Sequence, residues 1–452
     1  MYTRFLIISL ALVASALPGP VPTPKNDTCR DLQIPVTVSE ERFIINATVN
    51  DNWDAASLTF NLTRRDSGKP DDPIPIAGTT SSEVKSTYSI GATLCGTGGP
   101  VLVLTHGIIE SKLYWQPNLT DSKDYNFVDA AVAAGYSVLN YDRIGVGSSS
   151  KIDALTDAQF QVEVAVLNYL TTHARETLGA TKVALIGHSY GAYISAQSAA
   201  SLGPAVDALV LTGFSGTFDY FGPFVAGAGF RVAKIQDPER WGDLDSGYLT
   251  SSDLYAETYV YFAEPYFERR VAEWTYEVAS EPFAVGELPS LLATTMAYKD
   301  VTAPTLLLQG EFDVSACGGN CVGVLDSIKG NFSAAPVVET VDNLPAGSFI
   351  ERNAALRDKD HICAFLPYVA YATPTPSPPR CAAWPQLIGS RSAFQSPKRP
   401  SASKATSHSS ISRAANTMGK GKTRSLVSWC VMTHAEKTPM TAPEAPIPGV
   451  NR

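Results

Sequence analysis

Ser189 stands between two glycines at a spacing that suits a nucleophile, in the stretch Gly187-His188-Ser189-Tyr190-Gly191. A free hydroxyl attacks carbonyls poorly. It needs exposure, a base to take its proton, and donors for the negative charge that develops. The flanking glycines permit a sharp turn and close approach of neighbouring backbone. The apolar run KVALIGH (182–188) reads as a strand before that turn, and AYISAQSAASLG as a helix after it. A helix opening at Tyr190 aims its first N–H groups at the serine, so the Tyr190 N–H is one expected oxyanion donor.

Further elements are needed to hold such a turn in place. Residues 32–98 alternate apolar and polar in short runs (IPVTVSE, RFIINATV, SLTFNLT, STYSIGATL), the pattern of antiparallel strands. From Pro100 onward, apolar runs alternate with helical patterns. VLVLTH (101–106), SVLNYD (137–142), VDALVLTG (206–213) and PTLLLQG (304–310) read as buried strands. FVDAAVAAGY reads as a helix ending at Gly135, and a longer helix is expected over about 156–178, opened by Thr156 and Asp157 and closed at Gly179. This alternation predicts an α/β fold, a mostly parallel sheet covered by helices. Residues 217–300 break the rhythm with helical patterns crowded by aromatics such as Phe218, Phe221, Phe224, Trp241 and Tyr261. They read as a helical cap over the strand ends, where open α/β sheets bind ligands.

The order of strands, Gly-x-Ser-x-Gly turn, cap and acidic strand end resembles the α/β-hydrolase superfamily, particularly its secreted fungal-type members, over about residues 84–343. The resemblance implies a triad in the order Ser, acid, His. Asp313, in LLLQGEFDVS, matches the acid site, with Glu311 as its competitor. The loop THGII (105–109) is similar to the family's His-Gly loop, which makes the Ile108 N–H the second oxyanion donor. His106 and His188 flank these donors and read as structural, and His173 lies within a helix. YDRIGVGSSS (141–150) also resembles the family. It lacks the P-loop spacing and reads as a shaped turn rather than a phosphate site. Serine at 189 sets the chain apart from relatives that use an aspartate nucleophile.

The base is the difficulty. It should follow the last strand, expected at PVVETVD (336–342), yet Ser348 stands where a Gly-His pair belongs, and the next histidine after His188 is His361. Three explanations remain open. His361 acts from an enlarged loop; catalysis has been lost and a binding pocket kept; or the natural sequence differs from near residue 344 on, as after a frame-shifted gene model.

Composition is ordinary for a globular protein that can form a sizeable core, 44% hydrophobic and 17% charged. The start, MYTRFLIISLALVASALPG, reads as a signal peptide cut after Ala16, and no stretch offers the ~20 apolar residues of a membrane span. Five Asn-x-Ser/Thr sequons, at Asn26, Asn46, Asn61, Asn118 and Asn331, agree with a secreted glycoprotein. An oxidising compartment turns cysteines towards disulfides, and the seven here allow Cys317–Cys321 and Cys29–Cys95. Their spacing does not match a zinc site. Residues 374–452 carry 11 Lys+Arg against 2 Asp+Glu, leaving 24 against 42 for residues 1–373. That tail, rich in Ser and Pro, reads as disordered, and the export signal argues against nucleic acid as its partner.

The expected organisation is therefore a signal peptide (1–16), antiparallel strands (17–98), a first core segment (99–216), the cap (217–300), a last core segment (301–372) and the basic tail (373–452). The expected activity is cleavage of a small-molecule carboxylic ester without metal or other cofactor. The alternatives are an amidase or aminopeptidase, which would turn cap acids such as Glu264 or Glu268 to the site, and a non-catalytic binding protein. The sequence is silent on oligomeric state.

Overall fold

The computed structural model describes residues 28–63, 74–119 and 125–349. The signal-peptide segment, Asn26, His361 and the basic tail lie outside the described residues.

The frame is an eight-stranded sheet of β1 (Cys29–Glu40), β2 (Val84–Cys95), β3 (Val101–Thr105), β4 (Ser137–Tyr141), β5 (Val183–His188), β6 (Ala208–Thr212), β7 (Thr305–Gly310) and β8 (Val338–Leu344), in the spatial order β1-β2-β4-β3-β5-β6-β7-β8. The pairs β1/β2 and β2/β4 are antiparallel, and every other neighbouring pair is parallel. Strands β3 to β7 are buried along their whole length, which is why they read as unbroken apolar runs. The edge strand β1 instead alternates, with Ile34, Val36 and Val38 facing inward. Disulfides join Cys29 to Cys95 and Cys317 to Cys321, as the spacing allowed.

Helices α1 (Asn52–Thr63), α2 (Phe127–Ala133), α3 (Phe160–Glu176) and α4 (Tyr190–Leu202) precede the cap. α1 corrects the sequence reading, which took SLTFNLT for a strand. Asp51 accepts from the N–H groups of Trp53 and Asp54, and Ala55, Leu58 and Leu62 bury one helical face. That helical spacing hid beneath an alternation of similar quality. α3 also starts later than expected. The turn before it is closed by Asp153, which accepts from Leu155 and Thr156.

Between β6 and β7 lie α5 (Phe221–Ala228), α6 (Leu254–Tyr261) and α7 (Glu287–Ala293). This segment is less purely helical than its pattern suggested. Arg231–Val232, Tyr248–Thr250 and Phe283–Ala284 form a small antiparallel sheet within it. After β7, a short helix α8 (Val314–Cys317) opens at Asp313. Among the described residues no helix is long and apolar enough to cross a membrane. The sequon asparagines Asn46, Asn61, Asn118 and Asn331 are all exposed.

Candidate active site

Ser189 links β5 to α4 with φ 51° and ψ −119°. Among the described residues it shares a positive φ outside glycine only with Ile109 (φ 61°). An L-residue there is strained and must be held by its surroundings. The restraint is visible: the Ser189 N–H donates to the Thr212 carbonyl at 2.9 Å, while the Ser189 carbonyl accepts from Ala192 at 2.9 Å. A side chain at Gly191 would collide with the carbonyls of Thr105 and His106, so this glycine is what lets α4 seat against the end of β3. Ser189 itself stays half-buried between buried His188 and Tyr190, with its side chain facing a cavity.

The loop after β3 closes on the same point. A Cβ added to Gly107 would lie 2.9 Å from the Ser189 Cβ, so the loop backbone passes directly against the serine. The Gly107 N–H is taken by Glu110 Oε2 at 2.7 Å, and the Ile108 carbonyl by the Tyr261 hydroxyl at 2.5 Å. Ile108 and Tyr190 both line the cavity with Ser189, and among the described residues neither backbone N–H has a hydrogen-bond partner. The arrangement brings a partly buried serine together with two amide donors that have no partner among the described residues.

Asp313 is fully buried just past β7. Its Oδ1 accepts from the Ala316 N–H (2.9 Å) and the Ser315 hydroxyl (2.6 Å), and its Oδ2 accepts from Gln309 Nε2 (2.7 Å). Ser315 and Ala316 line the cavity, which puts this carboxylate on the Ser189 side of the sheet. Neither carboxylate lines the cavity itself, but Asp313 is hydrogen-bonded to the lining residues Ser315 and Ala316, whereas Glu311 is half-buried with no such side-chain bond among the described residues.

Ser348 is fully buried, with its hydroxyl 3.3 Å from that of Ser315. Next to it Phe349 stacks on Tyr261 at 4.3 Å and meets the rings of Tyr114, His188 and Phe262. The slot beyond β8 therefore holds packed serine and phenylalanine, and the candidate base His361 lies outside the described residues. His188 is engaged elsewhere. Its Nδ1 pairs with the Thr212 hydroxyl at 2.9 Å, its Nε2 lies 3.3 Å from Glu110, and its ring stacks on Tyr114. His173 sits half-buried on α3 beside Tyr169.

The sequence reading treated Arg143 only as part of a shaped turn. Its guanidinium is fully buried and pairs with both Glu163 on α3 and Glu287 on α7, each at 2.7 Å. Burial pushes both carboxyl groups upward from 4.5, against the pull of the guanidinium. These partners are 20 and 144 residues away in sequence, so no local pattern exposes them.

The cavity is about 60 Å³, where one water needs ~10–15 Å³ on the same measure. Phe218, Phe221, Phe224, Leu288 and Leu291 supply its apolar wall, and among the described residues no charged side chain lines it. Glu264 is exposed and Glu268 is paired to Arg270, both outside the lining. Among the described residues no cluster of three or more His, Cys, Asp or Glu side chains is placed to hold a metal ion.

No curated protein matches the chain. Among solved structures, a bromoperoxidase from Bacillus anthracis is 21% identical, with 63% of this chain and 96% of that one covered and a TM-score of 0.45. A thermophilic esterase from Thermogutta terrifontis is 17% identical (64% and 96% covered, TM-score 0.44), and an esterase from Exiguobacterium antarcticum 17% (63% and 96%, 0.42). The model of the alpha/beta hydrolase family matches residues 102–346, more than half of the chain. That span holds β3 from its second residue through β8, the Ser189 turn and Asp313, and the chain belongs to the alpha/beta hydrolase family.

Proposed function

We propose that this chain is a secreted serine hydrolase that cleaves carboxylic esters carrying a small apolar acyl group. Ser189 Oγ attacks the ester carbonyl while a base, His361 in the sequence reading, takes its proton; the Ile108 and Tyr190 N–H groups receive the oxyanion, and the C–O bond breaks as the base returns that proton to the leaving alcohol. Water then releases the acid from the acyl-enzyme, and Asp313 is the acid of the triad. One observation carries this reading: the strained, partly buried serine faces a cavity beside two amides that have no partner among the described residues. The cavity size supports a short acyl group, since a cavity that holds benzene is roughly 150 Å³. Among the described residues the lining is uncharged, which supports an ester over the ammonium-bearing substrate of an aminopeptidase.

A fluorophosphonate probe tests the reading. The protein should take the label covalently and Ser189→Ala should take none; an unlabelled, well-folded protein would refute it. Among p-nitrophenyl esters, acetate and butyrate should then outrun octanoate and aminoacyl anilides. The buried Ser348 and Phe349 in the slot beyond β8 favour a second reading, a binding protein on a hydrolase frame. It predicts saturable binding of small esters without turnover.

A further inference from the structure

The Gly107 carbonyl and the Ile108 N–H belong to one planar peptide group, so whatever fixes the oxygen also fixes the direction of the N–H. Two donors converge on that oxygen: His106 Nδ1 at 3.0 Å and Arg143 Nη2 at 3.2 Å. The far side of the imidazole settles the tautomer. His106 Nε2 accepts the Arg143 backbone N–H at 3.0 Å, so the single proton of a neutral ring sits on Nδ1. Burial, and then the adjacent guanidinium, hold this ring well below its ordinary range, and it stays neutral. Arg143 is anchored by Glu163 and Glu287, and its Cζ lies 4.7 Å from the centre of the Tyr190 ring. The same side chain therefore braces the Ile108 peptide and underlies Tyr190, whose backbone N–H is the other proposed oxyanion donor.

We infer that His106 and Arg143 are positioning residues that aim the Ile108 N–H into the cavity and polarise its peptide group through the Gly107 carbonyl. The inference rests on Ser189 being the nucleophile. A donor held in advance needs no reorganisation when charge develops, and hydrogen bonds in series strengthen one another. Both residues act through the backbone and touch no substrate.

Two variants at one position isolate the effect. His106→Asn places an amide nitrogen near the site of Nδ1 and keeps a donor for the Gly107 oxygen; His106→Leu keeps the bulk and loses the donor. Both lose the acceptor for the Arg143 N–H, so their difference reports the Gly107 bond. The measurement is the maximal rate of fluorophosphonate labelling and the probe concentration at half-maximal rate. His106→Leu should lose roughly 10–100-fold in rate at an unchanged half-saturating concentration, a fraction of the ~10²–10³ that deleting a donor outright costs. His106→Asn should recover most of it. Arg143→Lys keeps a charge between the glutamates without the planar fork, and should also slow labelling alone. It serves if His106→Leu fails to fold. Equal losses in the two His106 variants, or an unchanged rate in Arg143→Lys, would overturn the inference. A wild-type protein that takes no label would remove the reading of Ser189, and the inference with it.

Discussion

Two segments leave the same end of the sheet, and they are built differently. The Ser189 turn after β5 is closed by hydrogen bonds and backbone contact, yet its side chain is left half-open to a cavity. The Pro345–Phe349 segment after β8 is also tied by backbone, with the Phe312 N–H on the Ala346 carbonyl at 2.9 Å and the Phe349 N–H on the Tyr261 carbonyl at 3.0 Å, but its side chains are closed in. Phe349 meets four rings and the Ser348 hydroxyl is fully buried. One spends backbone strain to keep a polar atom accessible; the other uses aromatic packing to shut polar atoms away. Strain at a functional turn persists only where its surroundings over-determine it, whereas packed rings stabilise without any such demand.

The largest effect should come from opening the second segment. Phe349→Ala removes a buried ring and is expected to cost about 3–5 kcal/mol, read from urea unfolding. A loss below 1 kcal/mol would mean that the aromatic cluster does not hold this segment. Gly191→Ala attacks the first segment. It forces a methyl group onto the Thr105 and His106 carbonyls and should cost ~3 kcal/mol or more, with labelling of Ser189 lost alongside. Retained labelling would show that the turn tolerates looser seating than its contacts imply.

A smaller effect concerns the charges beneath the Ser189 turn. The Glu163 carboxyl is raised from 4.5 to about 8 by burial, and Glu287 is raised with it, so the pair keeps a proton that the unfolded chain releases near 4.5. Between those values the unfolded state binds fewer protons, and stability falls as pH rises towards 8. Glu163→Gln should flatten that decline, reducing the drop in Tm between pH 5 and pH 8 by roughly 2–4 °C. An undiminished drop would locate the titration elsewhere. Smallest of all, Ser348→Ala should change stability by less than about 1 kcal/mol and leave the labelling rate alone. A marked fall in rate would promote Ser348 from packing to chemistry.

What was legible in the sequence follows the range of the interactions. β3 to β7 announce themselves because strands covered on both faces need unbroken apolar runs, and the Ser189 turn because its glycine spacing is local. α1 was misread because Ala55, Leu58 and Leu62 share their stretch with an equally good two-residue alternation. The small sheet in the cap is built from strands of two or three residues, too short to leave a period. Arg143 was visible as a residue but not as the partner of Glu163 and Glu287. Charges at distant positions carry no mark of which of them will meet. Asp313 was singled out by its place after β7 and by the family resemblance, while the pairing of Ser315 with Ser348 needed the fold to bring positions 33 apart together.

The bridge between Cys29 and Cys95 stands at one end of the twelve-residue ladder that joins β1 to β2, and Glu40 faces Val84 at the other. The chain from Cys29 to Cys95 is therefore a closed loop in the covalent sense. A protease that clips it once yields two polypeptides that migrate as one species until a reductant is added. Such a clip would go unseen in ordinary non-reducing electrophoresis.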